Sequence, residues 1–279
     1  MQAMNCLFCK KDATGSRSVE HVIPESIGNT EHTLPPGVVC DKCNNYFSVK
    51  VEGPLLNMPY FRDLCYRSRI KNKKGNPPRV QGIHRQSLLP VDLFPDMDGD
   101  GASIGASHPH DERRWIASLR MSSRGSLIVP IPTEPDEQLL SRFLAKVAIE
   151  ALALRVLKIE GGIREIIQKK ELDPLRDYAR RNVGVSFWPF HRRALYPPDF
   201  LFTELESAPY EVLHEWTFLY TTSWELYLIL ALFGTEYALN LGGPEIDGYK
   251  AWLVDNSQQS PLYPRGLQAT EQHLPPDIE

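Results

Sequence analysis

Long hydrophobic runs are missing from this chain. The longest, which contains Tyr227-Leu-Ile-Leu-Ala-Leu-Phe233, is far shorter than the roughly 20 apolar residues that cross a bilayer. The N-terminus has neither the basic nor the apolar region of a signal peptide. A cytoplasmic protein with no membrane partner is therefore expected. An excess of positive charge is missing as well: 31 Lys and Arg stand against 35 Asp and Glu, a net of −4, which argues against nucleic-acid binding over the whole surface. Cysteine is scarce. Four of the five cysteines form two C-x-x-C pairs, which is no disulfide framework for a chain of this length in a reducing cytosol. Beyond residue 79 there is no internal repeat and no low-complexity tract. With 279 residues, 42% of them hydrophobic, the chain can bury one large core or two modest ones.

The charge that is present is unevenly spread. Residues 1–79 hold 12 Lys and Arg against 7 Asp and Glu, a net of +5, and the remaining 200 hold 19 against 28, a net of −9. This asymmetry fits a small basic module facing nucleic acid, joined to a larger acidic domain. The densest basic run extends from Arg62 to Arg79, with seven positive charges to one negative. Arg67, Arg69, Lys71, Lys73 and Lys74 are its candidate phosphate contacts, and a solvated linker is the alternative. Gly75-Asn-Pro-Pro78 closes it as a breaker cluster. The expected division is a module over 1–60, a basic linker over 61–79, a mixed domain over 80–264 that regulates the module or recognises its target, and a loosely ordered tail over 265–279.

In the larger domain, the short apolar stretches Ser87–Val91, Trp115–Leu119 and Ser126–Ile131 alternate with turn-rich segments and read as strands. From Asp136 the period changes. Leu140, Phe143, Leu144, Val147, Ala151, Leu152 and Val156 recur at three- and four-residue spacing, which predicts a helix over 136–159 ended by Gly161-Gly162. A second helix is expected over Ile163–Arg181, a half-buried strand over Glu211–Tyr220, and a central strand over Trp224–Tyr237, the two strands joined at Thr222-Ser223.

Cys6-x-x-Cys9 and Cys40-x-x-Cys43 supply four thiolates, enough to close a tetrahedral structural zinc site. Redox chemistry is the alternative, but no βαβ pattern surrounds either pair. Cys65 stands apart and reads as an ordinary small apolar residue. Between the pairs lie Glu20-His21, a turn from Pro24 to Asn29 and a second apolar run, and after Cys43 comes a short helix that Gly53-Pro54 is expected to stop. The implied unit is knuckle, hairpin, knuckle, helix. Zinc would hold the helix start against the hairpin, so that the mouth of the first strand and the first helical turn face one another.

Cys6-x-x-Cys9, Glu20-His21-Val-Ile-Pro24 and Val39-Cys40-x-x-Cys43-Asn44-Asn45 together resemble the zinc-stapled branch of the HNH endonucleases, over residues 1 to about 56. The resemblance implies an α+β chain: a small zinc-bound, treble-clef-like ββα-metal module followed by a larger mixed α+β domain. It implies Glu20 and Asn44 as ligands of a catalytic Mg²⁺ or Mn²⁺, with Asn45 as the other choice for the second, and His21 as general base. The loop-bracing asparagine of the family has two candidates, Asn29 and His32, and Lys50 is placed to reach a phosphate. DNA, double-stranded in the first instance, is the implied partner, and a homodimer is compatible. The chemistry agrees, because a neutral imidazole can take a proton from water near pH 7 and a hard divalent ion stabilises the leaving oxygen.

Other motifs are weaker. Asp96-Met-Asp98-Gly-Asp100-Gly101 copies the start of a calcium loop, but Ser107 stands at its twelfth position, and it reads as an acidic turn. His108-Pro-His110 reads as a loop. Trp188-Pro-Phe-His191-Arg192-Arg193, with Trp216, Phe218, Tyr220 and Trp224, either stacks bases or forms core. The resulting expectation is a metal-dependent HNH nuclease acting on DNA in bacterial anti-phage defence, its C-terminal domain recognising the target. A noncatalytic zinc-finger DNA-binding or adaptor protein is the alternative, and it would not need Glu20, His21 and Asn44.

Overall fold

The computed structural model describes residues 5–264 apart from 73, 77, 98, 100, 122–124 and 204–207. Lys73 and the expected tail thus lie outside the described residues. Two compact units interleave along the chain: Met1–Val22, Thr33–Asn44 and Ser141–Glu279 form one, Ile23–His32 and Asn45–Leu140 the other. The expected serial division at residues 60 and 79 differs from these units. Breaker clusters mark local turns, whereas long-range packing decides which segments share a core. No helix among the described residues is long and apolar enough to cross a membrane.

The chain begins with a finger. Strands β1 (Glu20–His21) and β2 (Thr33–Leu34) pair antiparallel, Glu20 opposite Leu34 and His21 opposite Thr33. Helix α1 (Asp41–Phe47) starts at the second cysteine knuckle. Contrary to expectation, Gly53-Pro54 does not stop it. A π-helical stretch, Ser48–Glu52, leads straight into α2 (Gly53–Leu56). In this wider turn Gly53 N–H donates to Ser48 O, and a Cβ on Gly53 would stand 2.7 Å from that oxygen. Pro54 lies in the first turn of α2, where its missing N–H leaves no bond unmade.

Residues 61–79, expected as a linker, begin inside helix α3 (Pro59–Arg67), which buries Phe61 and Leu64. Next come β3 (Val80–His84), β4 (Leu89–Pro95), β5 (Ala102–Ala106), α4 (Glu112–Met121) and β6 (Leu127–Ile128), the strands ordered β5-β4-β3-β6. Trp115–Leu119, expected as a strand, lies in α4. Its short apolar pattern suits either period, and packing of Trp115 against Leu89 and Val91 selects the helix.

Helix α5 (Glu137–Val156) appears where its periodicity places it. Every residue from Ser141 to Glu150 is buried, so this is a core helix on all sides. The single helix expected over Ile163–Arg181 is two, α6 (Gly162–Gln168) and α7 (Asp173–Arg181), because Pro174 belongs in a first turn. Five longer or shorter strands come next, β7 (Phe190–Ala194), β8 (Leu201–Phe202), β9 (Tyr210–Glu211), β10 (His214–Tyr220) and β11 (Leu226–Leu232), then β12 (Thr235–Asn240) and α8 (Asp247–Asp255). The strand expected over Trp224–Tyr237 is therefore a hairpin of β11 and β12. Phe233 and Gly234 turn it with φ of 49° and 77°, the left-handed pair that a two-residue hairpin loop needs. The sheet is antiparallel in the order β10-β11-β12-β7, and Tyr227, Ile229 and Ala238 pack on Tyr249 and Leu253 of α8.

This sheet carries buried acids. Glu236 is fully buried and accepts from Arg193 Nε at 2.5 Å, from Tyr249 OH at 2.5 Å and from Ser260 Oγ. Half-buried Glu215 accepts from Tyr196 OH at 3.3 Å and from Tyr263 OH, and desolvation pushes its carboxyl up to about 7. The unfolded chain then releases this proton first as pH rises, so stability falls between about pH 4.5 and 7. Glu215→Gln is expected to be neutral below that window and stabilising above it by about 1–2 kcal/mol, discounted for the solvent-facing part of the carboxyl. Urea melts of both proteins at pH 4 and pH 8 check this; equal differences at the two pH values would contradict it.

Candidate active site and its zinc staple

The four Sγ atoms of Cys6, Cys9, Cys40 and Cys43 lie within 4.8 Å of one another, and Cys9 and Cys40 are 3.7 Å apart. Zn–S bonds of ~2.3 Å in a tetrahedron put sulfurs about 3.8 Å apart, so the cluster suits zinc. Hydrogen bonding from Cys43 holds the Cys6 thiol down at about 4, and the same sharing, with burial, pushes Cys43 up. Four thiolates this close repel one another, and a bound Zn²⁺ removes that conflict. The first knuckle is fastened from elsewhere in the unit: Arg176 of α7, 2% exposed, donates to Leu7 O at 2.9 Å. Cys65 lies apart, its thiol donating to Ser26 O at 3.7 Å and raised by burial to about 11.

The start of α1 is clamped to the segment that enters β1. Asp41 accepts from Ser18 N at 2.9 Å and Arg17 N at 3.1 Å, and these donors, Ser18 first, hold its carboxyl below the ordinary range. Asn44 donates Nδ2 to Val19 O at 3.4 Å, which sets its amide beside the backbone leading into Glu20. Helix start and strand mouth therefore meet as the spacing of the knuckles implies. Asn45 is exposed, as is Lys50.

Within the turn after β1, Asn29 is fully buried. Its Nδ2 donates to Ile23 O at 2.5 Å and His32 O at 3.1 Å, and its Oδ1 accepts from Glu31 N and His32 N. Of the two candidates, Asn29 rather than His32 is the side chain that braces this loop. An amide supplies both donor and acceptor, and the turn needs both.

Glu20 is 4% exposed, and its Oε1 lies 2.8 Å from Lys146 Nζ of α5. Lys146 also meets Glu150 Oε2 at 2.9 Å and donates to His21 O at 2.8 Å. Nothing in the sequence links positions 20 and 146. The only local hint is an i, i+4 Lys-Glu pair in a helix too apolar to solvate it.

The basic run is partly engaged. Arg67 pairs with Asp63 at 2.8 Å, and Arg69 donates to Asp96 O and Gly99 O at 2.9 and 2.8 Å, tying down the acidic turn. Lys71 and Lys74 are exposed. Arg62 and Arg79, at the ends of the run, line a cavity of about 590 Å³ with Asn57, Asn72 and Phe94. Trp188 is 1% exposed, with Nε1 donating to Asn240 O at 2.9 Å. It is core and stacks no base. Trp224 and Tyr220 are instead 88% and 66% exposed, beside a cavity of about 460 Å³.

A zinc-stapled finger with an acid-histidine pair at its hairpin mouth is the class of site these features define. A family model described as HNH endonuclease matches residues 6–59, and this match supports a nuclease function in general. No curated protein and no solved structure matches the chain.

A zinc ion on the four thiolates would add its binding free energy to the folding of the finger. Freshly purified protein is expected to contain one zinc per chain, and Cys43→Ser to lose both the zinc and the finger's protection from proteolysis. Elemental analysis and limited proteolysis check this; a zinc-free protein with an intact finger would contradict it.

Proposed function

We propose that this protein is a metal-dependent endonuclease that hydrolyses phosphodiester bonds in double-stranded DNA, in the bacterial cytoplasm and in defence against phage. The observation that carries the proposal is the placement of Glu20-His21 and Asn44 at the junction of hairpin and helix, in the segment similar to HNH endonucleases. His21 takes the proton from the attacking water, and the backbone of β1 orients its ring. Glu20 and Asn44 would hold Mg²⁺ or Mn²⁺, whose charge stabilises the leaving oxygen when bound. The donor set fits such an ion in kind, because one carboxylate and one amide offer hard oxygens.

The chain outside this segment supports the defence reading. It is acidic, so it disfavours broad duplex binding and favours a selective contact. Tyr220 and Trp224 offer exposed rings on which a base can stack.

Cleavage of phage DNA carrying modified bases and of unmodified plasmid, with and without Mg²⁺ or Mn²⁺, tests the proposal. His21→Ala is expected to lower turnover by about 10²- to 10⁴-fold while DNA affinity and zinc content hold. Equal turnover of variant and parent would overturn the assignment, and indifference to base modification would remove the selective part.

The exposed Lys71 and Lys74 are the remaining candidate phosphate contacts of the basic run. Replacing both by Gln is expected to weaken binding to all sequences alike and to flatten the plot of log K against log salt by about 0.9 per lost contact. An unchanged slope in a salt titration would leave these lysines as plain surface.

A further inference from the structure

Lys146 lies outside the segment similar to HNH endonucleases, yet its ammonium touches the candidate acid. It is 0% exposed. Its Nζ stands 2.8 Å from Glu20 Oε1 and 2.9 Å from Glu150 Oε2, and it donates to His21 O at 2.8 Å and to Val22 O at 3.5 Å. Glu150 is likewise 0% exposed and stands one turn along α5. The ammonium is thus gripped from its own helix by one carboxylate, and from β1 by another carboxylate and a carbonyl.

Stability alone does not call for this arrangement. Buried ion clusters replaced by apolar side chains of similar volume are often as stable or more so. Oxygens from Glu20, Glu150 and the His21 backbone converge on one point, as hard oxygens do around a divalent ion. The point holds Nζ.

We propose that Lys146 is the site's resident cation: its ammonium occupies the oxygen-lined position between Glu20 and Glu150 that a divalent ion would otherwise take, and so positions Glu20 and the His21 backbone for the reaction. Lys146 and Glu150 are positioning residues. The proposal rests on the nuclease reading only for its consequence on turnover.

The test is Mn²⁺ titration by calorimetry together with cleavage kinetics, on the full chain with its zinc content verified. Lys146→Met opens the position, so Mn²⁺ is expected to bind at least about tenfold more tightly, while turnover falls by about a hundredfold or more because the acid-histidine pair loses its support. A merely structural lysine could not give tighter metal binding with slower turnover. Glu150→Gln, which leaves the ammonium on Glu20, is expected to keep Mn²⁺ affinity within about threefold of the parent. Should Lys146→Met fail to fold, the double variant Lys146→Met with Glu150→Gln, which buries one carboxylate at this position rather than two, is expected to show the same split. Unchanged or weaker Mn²⁺ binding, or turnover within about threefold of the parent, would overturn the proposal. A parent that cleaves no DNA would sink the nuclease reading, and the Mn²⁺ titration would still decide what the ammonium displaces.

Discussion

A helix buried on every side cannot carry an unpaired charge, and α5 carries three charged side chains in its buried stretch. Arg142, Lys146 and Glu150 each need partners within the protein. Arg142 finds them in the carbonyls of Ala179 and Arg180. Lys146 and Glu150 find theirs in each other and in Glu20 and His21. The requirement ties α5 to the strand that carries Glu20 and His21, across more than a hundred residues of intervening chain.

The same logic fastens the zinc knuckle. Arg176 is buried, and its guanidinium is satisfied by the carbonyls of Leu7, Lys169 and Ile166 and by Asp173. Arg176 thus holds the first knuckle and Lys146 the strand that carries Glu20 and His21, and a zinc ion would join the first knuckle to the second. Such rigid support suits chemistry that requires an acid, a base and a hard ion to hold their spacing. These bonds join Met1–Val22 and Thr33–Asn44 to α5–α8 within one compact unit.

Local chemistry is well legible in the sequence. The C-x-x-C pairs announce the cysteine cluster, the Asn44 amide lies beside the strand mouth, and the apolar spacing from Leu140 to Val156 locates α5. Local punctuation is less reliable. Gly53-Pro54 is absorbed by a π turn, and Pro174 divides a helix that periodicity shows as one. The run from Trp224 to Tyr237 conceals a hairpin, because two strands buried in a sheet core look the same as one long apolar strand until a turn is placed at Phe233-Gly234.

By itself the sequence determined the metal-binding finger, its likeness to the nuclease family and the helical or strand character of most of the remaining chain. These depend on residue type and on spacing within a few turns of chain. Only the tertiary structure decided that Trp188 is core while Trp224 is exposed, that Asn29 braces the turn, and that a lysine at position 146 meets a glutamate at position 20. Those outcomes depend on which distant groups share a dry interior. There a charge must be paired with whatever the fold brings beside it, and no local pattern records that partner.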